Sequence, residues 1–283
     1  MVKCLIVKKY LRVIKMANIF KQKFGISIGL VVKDRMGLFM ENGINYMEFR
    51  FDKTPDLEFG RNFVKEVKAE KEKYGFTTRT AHLPFPEGYD LSVTDEEVRK
   101  QAVENQKEIV EIALELNPEV LVLHNSRGPV TEEERPLRRA ALVKSLKDFA
   151  PWCKERGLKI ALENLIPGSL LMSSDDLVSV IEEVGCDNIG ICFDVNHLFA
   201  EPHADFIKKA GKYIITMHIS DNDGIQERHF EPGKGVLDWH LIFSEMDKIG
   251  YDGTMICELG SILSGFPDSV PRLKEELLDV TTR

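Results

Sequence analysis

The sequence predicts a single closed (β/α)8 barrel, and three observations carry that prediction. Short β-branched runs alternate with longer stretches of helical period eight times from Phe24 onward. No linker or low-complexity stretch interrupts the series. The 283 residues suit one α/β barrel, a fold that commonly runs to about 250 residues as a single unit. Strands alternating with helices of this length imply parallel βαβ units, and eight such units close a barrel. The structural rival, a doubly wound open sheet, calls for a glycine-rich phosphate loop after its first strand, which Gly25-Ile26-Ser27-Ile28-Gly29 does not supply.

Each element can be justified in turn. Phe24–Val32 reads as the first strand, with a short helical segment to Asn42. Ile44–Phe51 (INYMEFRF) is the second, followed by a charged amphipathic stretch ending near Tyr74. Thr77–Leu83 is the third, and Thr94-Asp95-Glu96-Glu97 has the capping-box pattern that opens a helix. Within that helix Val98, Ala102, Ile109, Ile112, Ala113 and Leu116 are spaced to share one face. Val120–His124 is the fourth strand, and Thr131-Glu132-Glu133-Glu134 repeats the capping chemistry. Leu158–Glu163, Ile189–Phe193, Tyr213–Ile219 and Gly253–Glu258 complete the eight, with a final helix near Asp268–Val280. Residues 1–23 read as an N-terminal extension and 24–283 as the barrel.

Composition narrows the function classes. Hydrophobic residues make up 43% and charged residues 30%, enough apolar material for a large core and no sign of disorder. A formal charge of −8 gives no general attraction to nucleic-acid phosphates or anionic lipid, which makes nucleic acid a disfavoured partner. The five cysteines are odd in number, scattered and without C-x-x-C spacing, so neither a disulfide framework nor a cysteine zinc site is indicated and a reducing cytoplasm is the simple location. No apolar run approaches the roughly 20 residues that cross a bilayer. The opening segment, broken by lysines and without a small-residue cleavage site, does not read as a signal peptide. Homo-oligomerisation stays open.

The polar residues fall where chemistry would need them. The C-terminal ends of parallel strands face the active rim of a barrel, and here those ends carry Glu48, His82, His124, Glu163, Asp194, His218 and Glu258. His197 follows Asp194 by three residues, and His229 lies in the long loop after the seventh strand. Each residue alone is more simply a satisfied structural group or a helix cap. Together they are not: several carboxylates desolvated side by side raise one another's pKa and demand positive charge. A divalent cation supplies it economically, since imidazoles and carboxylates form the mixed N/O set that zinc, manganese, iron or cobalt accept. A salt-bridge network with Arg50, Arg127 or Arg228 is the alternative source.

At these residues the sequence resembles the xylose isomerase-like TIM-barrel superfamily, which includes sugar isomerases and epimerases and endonuclease IV. The resemblance runs from Phe24 over nearly the whole chain. It rests on Ala161-Leu162-Glu163-Asn164, the run Phe193-Asp194-Val195-Asn196-His197, the segment HISDNDGIQERHFEPGKGVLDW from His218 to Trp239, and Cys257-Glu258. It implies that Glu163, Asp194, His218 and Glu258 hold one divalent ion, Mn²⁺, Zn²⁺, Co²⁺ or Mg²⁺. It further implies that Glu163 and Glu258 remove and return a proton beside a carbonyl, through a metal-stabilised enediolate of a sugar or sugar phosphate. His197, Arg228, His82, His124 and Glu48 are then expected to contact substrate. Phe85, Trp239 and Phe266 are candidates for an apolar wall against its ring.

The resemblance also carries alternatives. The endonuclease branch holds a three-metal cluster, and His82, His124, Glu163, Asp194, His197, His218, His229 and Glu258 fall at corresponding positions, with Glu227 standing where that branch has Asp. His82, His124, His197, Glu227 and His229 are therefore candidates for further metal. Cleavage of abasic DNA would need a basic groove that the acidic balance does not provide, and the tail Pro232–Trp239 is more like the sugar enzymes. A keto-acid dehydratase, such as a dehydroshikimate dehydratase, would use the same metal and the same proton abstraction. A non-catalytic sugar-binding barrel explains least, because binding alone does not call for so many ionisable groups.

Overall fold

The computed structural model describes residues 23–28, 36–52 and 56–260. Eight parallel strands close on themselves in chain order: β1 (Phe24–Ile28), β2 (Tyr46–Arg50), β3 (Thr77–His82), β4 (Val120–His124), β5 (Lys159–Glu163), β6 (Ile189–Asp194), β7 (Ile214–Ile219) and β8 (Thr254–Cys257). Pairing of β1 with β8, Gly25 opposite Ile256, seals the ring. The intervening helices are α1 (Met36–Glu41), α2 (Leu57–Tyr74), α3 (Glu96–Ala113), α4 (Arg135–Glu155), α5 (Ser174–Val184), α6 (His203–Ala210) and α7 (Trp239–Lys248). The extension expected over residues 1–23 lies, Lys23 apart, outside the described residues, as do the last residues of the first predicted strand, the final predicted helix and Phe266. No helix among the described residues is long and apolar enough to cross a membrane.

The two-residue period of a strand sorts side chains into two cores. Leu121 and Leu123, Ile160 and Leu162, Ile191 and Phe193, and Met217 and Ile219 join the large cluster between strands and helices. The alternate phase faces the barrel interior, where Val120, Val122, Ala161 and Cys192 form a small apolar plug. Continuing that interior phase one step towards the strand ends reaches His124, Glu163 and Asp194; the same arithmetic reaches His218 from Thr216 and Arg50 from Glu48.

Local chemistry sets the helix boundaries. Asp56 caps α2 by accepting from the Phe59 amide at 2.8 Å, and Gly75, at φ 72°, ends it in the left-handed region that glycine adopts without strain. The cap of α3 is Asp95, which accepts from the Glu97 and Val98 amides, rather than Thr94 as the four-residue pattern suggested; a single carboxylate oxygen one position later reaches both free amides. Val98, in the first turn of α3, leaves the expected apolar face and is 48% exposed. The Thr131/Glu134 pair does form the reciprocal bonds of a capping box, Glu134 N to Thr131 Oγ1 at 3.3 Å and Thr131 N to Glu134 Oε2 at 3.0 Å.

Strand packing leaves no room at Gly190 in β6, where a Cβ would stand 2.7 Å from the Tyr213 carbonyl and 2.8 Å from Ile215 Cγ2. Gly190→Ala is expected to destabilise the fold by roughly 1–3 kcal/mol, the usual cost of overpacking. Denaturant unfolding monitored by circular dichroism measures this, and an unchanged midpoint would refute such tight packing.

Candidate metal centre and active site

Seven strand ends deliver the site. Glu163 closes β5, Asp194 closes β6, His218 lies one residue before the end of β7, and Glu258 directly follows β8. Register sets them side by side: His124 opposite Glu163, Glu163 opposite Cys192, and Asp194 opposite His218. Nδ1 of His218 stands 3.3 Å from Glu163 Oε1, 3.5 Å from Glu258 Oε1 and 3.7 Å from Asp194 Oδ2. Ligand atoms of all four residues lie within 4.8 Å of one another. An ion held by bonds of about 2.0–2.2 Å needs ligand atoms about 3–4 Å apart, which is the spacing around this nitrogen.

The donors are aimed inward by bonds made behind them. Asp194 Oδ1 accepts from the amides of Asn196 (2.7 Å) and His197 (3.2 Å), so its other oxygen is left facing the site. The Asn164 side chain clamps the Asp194 backbone on both sides, accepting from its N–H at 2.9 Å and donating to its carbonyl at 2.8 Å. Asn125 does similar work for Glu163, donating to its carbonyl at 2.7 Å while holding Leu171 by both carbonyl and amide. His82 Nδ1 lies 3.0 Å from the Leu83 carbonyl, which can only accept, so that nitrogen carries a proton and Nε2 is the atom turned to the site. Three inward atoms, His82 Nε2, Glu163 Oε2 and Asp194 Oδ2, are buried without any hydrogen-bond partner. Orphaned buried donors and acceptors are expensive, and a cluster of them fits a cation that is to be bound there.

Glu163 is the hub. Its Oε1 faces His197 Nδ1 at 3.2 Å as well as His218, and its Oε2 faces His124 Nε2 at 3.3 Å and His82 Nε2 at 3.4 Å. Burial alone pushes its carboxyl up, yet the surrounding imidazoles, His218 and His124 first, hold it well below the usual range. Asp194, with burial dominant and two glutamates nearby, is pushed up to about 6. Glu258 is also buried, but the Arg50 guanidinium and then His218 bring it down to about 2. A third group of donors, His197, Glu227 and His229, meets at the rim, Glu227 Oε1 standing 3.1 Å from His197 Nε2 and 2.5 Å from His229 Nε2. The longer glutamate thus does reach both histidines. His229 holds φ 49°, a left-handed conformation unusual for a non-glycine residue, pinned by its Nδ1 on the Glu258 carbonyl at 3.0 Å.

Above the donors opens a cavity of about 510 Å³, within the usual range for small-molecule sites, lined among others by Arg50, Phe85, His124, His197, Glu227 and Glu258. Phe85 stacks on His124 with ring centroids 4.0 Å apart, giving the cavity an aromatic wall. Several residues expected to touch substrate lie elsewhere. Trp239 is 3% exposed, donates from Nε1 to Asp221 Oδ2 at 2.8 Å and stacks on Phe243, so it is packing at the start of α7. Arg228 turns outward to Asp223 at 2.6 Å, and His82 lies beneath the lining, under His124 and Phe85. Glu48 is fully buried beneath His218.

The rival arginine network exists at one point only. Arg50 pairs with Glu258 through Nη1 and with Asp52 through Nε at 3.1 Å, whereas Arg127 goes to Glu87 and Arg228 to Asp223. Residues that the sequence did not single out as functional include Asn125, Asn164 and Asp221. Asp221 accepts from the Gly233 and Leu237 amides and from Trp239, knitting the long loop after β7. Gly235 packs so closely there that a Cβ would meet the Asn222 carbonyl at 2.1 Å. The glycines and aspartates of that segment were the available signal.

The chain is similar to several known proteins. The chain is 27% identical to an uncharacterised protein of Methanocaldococcus jannaschii over 85% of this chain and 84% of that one. It is 24% identical to the fructoselysine 3-epimerase of Shigella flexneri over 76% of this chain and 78% of the enzyme. The solved structure of a D-tagatose 3-epimerase-like protein superposes with a TM-score of 0.75 at 23% identity, covering 92% of this chain and 98% of that one. The sequence model of the family described as xylose isomerase-like TIM barrel matches residues 38–276, and the chain belongs to that family.

Proposed function

We propose that this protein is a divalent-metal-dependent isomerase or epimerase of a sugar or sugar phosphate, working by proton abstraction next to a carbonyl. The observation that carries the reading is the convergence of Glu163, Asp194, His218 and Glu258 on one point beneath a sugar-sized cavity that Glu258 helps to line. When bound, the cation, Mn²⁺, Zn²⁺, Co²⁺ or Mg²⁺, supplies positive charge to the enediolate that proton loss creates. Glu163 and Glu258 reach the point of convergence from β5 and β8, separated by the strands of Asp194 and His218, an arrangement suited to acting on two faces of one carbon. His124 and His197 line the cavity and can hold substrate oxygens, while Phe85 gives a ring face to pack against. The epimerase names among the relatives support the same reaction class.

A second reading has its own observation in favour. His82, His124 and Glu163 bring ligand atoms within 4.8 Å, as do His197, Glu227 and His229, and Glu163 presents one oxygen to each side as a bridging carboxylate would. Such a cluster suits a phosphodiesterase acting on abasic DNA. The net charge of −8 weighs against a duplex partner, and the proposal stays with the sugar.

Glu163→Gln and Glu258→Gln should each abolish solvent deuterium uptake into a ketose or sugar phosphate in the presence of Mn²⁺, with circular dichroism unchanged. Full exchange by either variant would remove that residue from the proton transfer. His124→Ala separates the two readings: sugar turnover that is reduced but measurable agrees with the proposal. Cleavage of an abasic duplex by the wild type that this substitution eliminates would replace it with the nuclease.

A further inference from the structure

A line of buried polar groups runs away from the cavity, behind the proposed centre. His218 uses Nδ1 towards Glu163, Asp194 and Glu258, and its Nε2 lies 3.2 Å from Glu48 Oε2 on the opposite side of the ring. The other Glu48 oxygen accepts from Ser27 Oγ at 2.9 Å. Ser27, Glu48 and His218 are all 0% exposed, come from β1, β2 and β7, and have no place in the cavity lining. Register fixes the first contact, since Ser27 pairs directly with Glu48 across β1 and β2.

A buried carboxylate is costly unless it has work to do, and nothing about the barrel wall demands an ionisable group here. Other interior positions are filled by threonine or apolar residues, such as Thr80 directly opposite Glu48, Thr216 and Val122. What Glu48 alone can do is accept the Nε2 proton of His218. An imidazole that ligates through one nitrogen must keep its proton on the other, and an acceptor behind the ring fixes the tautomer, fixes the ring plane and makes the ligating nitrogen more basic.

We infer that Glu48, steadied by Ser27, is a positioning residue for the metal centre: it holds the His218 proton on Nε2 so that Nδ1 is the nitrogen offered to the cation. This rests on the metal-centre reading above and moves Glu48 from the substrate-contacting group to the support of a ligand. Ser27 contributes by fixing the carboxylate plane, which would otherwise rotate about its last bond.

The test is metal binding rather than turnover. Mn²⁺ titrations by calorimetry on full-length protein compare the wild type with Glu48→Gln, which keeps shape and can still accept a hydrogen bond but lacks charge, and with Ser27→Ala. Loss of such a supporting contact typically costs ten- to a hundredfold in affinity; about that loss is expected for Glu48→Gln, a smaller one for Ser27→Ala, and a change below about threefold in Glu48→Gln overturns the inference. In Zn²⁺-loaded, ¹⁵N-histidine-labelled protein, wild-type His218 should show a protonated Nε2, a signature that a merely space-filling role for Glu48 would not shift in the variant. A wild type that binds no metal removes the underlying reading and this inference with it. A wild type that binds, with Glu48→Gln binding equally well, removes this inference alone.

Discussion

The site depends on a single buried carboxylate. Glu163 sits at the end of β5 with no solvent contact, and imidazoles surround both of its oxygens, His197 and His218 on one and His82 and His124 on the other. A charge so placed is tolerable only where compensating charge is close, and the ligating atoms gathered around it lie within 4.8 Å of one another, the spacing a cation would use. Remove that carboxylate and the strands on either side lose their reason to carry histidine. The barrel makes the arrangement possible, because β3 to β6 each end on, β7 carries one position before its end, and β8 is directly followed by, one residue that faces the interior at the same end of the ring, and no contact between neighbours in sequence could collect them.

Around that centre the protein spends polar side chains on backbone rather than on substrate. Asn125 and Asn164 hold the loops after β4 and β5 and clamp the ends of neighbouring strands, and Asp221 gathers the loop after β7 through three separate donors. Arg50 joins Glu258 to Asp52 at the cavity edge, so one of the two proposed proton-transfer groups is already tethered before substrate arrives. Rigid placement of this kind is what proton transfer between fixed carboxylates and one carbon requires, since small misplacements are costly.

Much of this was legible in the sequence, for a physical reason. A parallel strand buried on both faces is mostly apolar, so the charged or ionisable Glu163, Asp194, His218 and Glu258 stand out against runs such as KIALE and IGICFD. The helices were legible from their apolar spacing and caps, with errors of one residue where Asp95 displaced Thr94 and Val98 left the core face. Side-chain direction was less legible. Arg228 belongs to, and Trp239 directly follows, a long loop whose path is set by Asp221 and Gly235, contacts distant enough in sequence to leave no periodic trace. Glu48, expected among the substrate-contacting residues, is buried against His218 Nε2, because strand phase tells which residues face the interior and not how deep each sits.

The most direct measurement is anomalous X-ray diffraction from crystals grown or soaked with Mn²⁺. One strong peak within about 2.0–2.3 Å of carboxylate oxygens of Glu163, Asp194 and Glu258 and of the His218 Nδ1 atom is the expected result. Crystals that bind Mn²⁺ only at surface carboxylates, with Arg50 and the imidazoles neutralising the four residues among themselves, would contradict it.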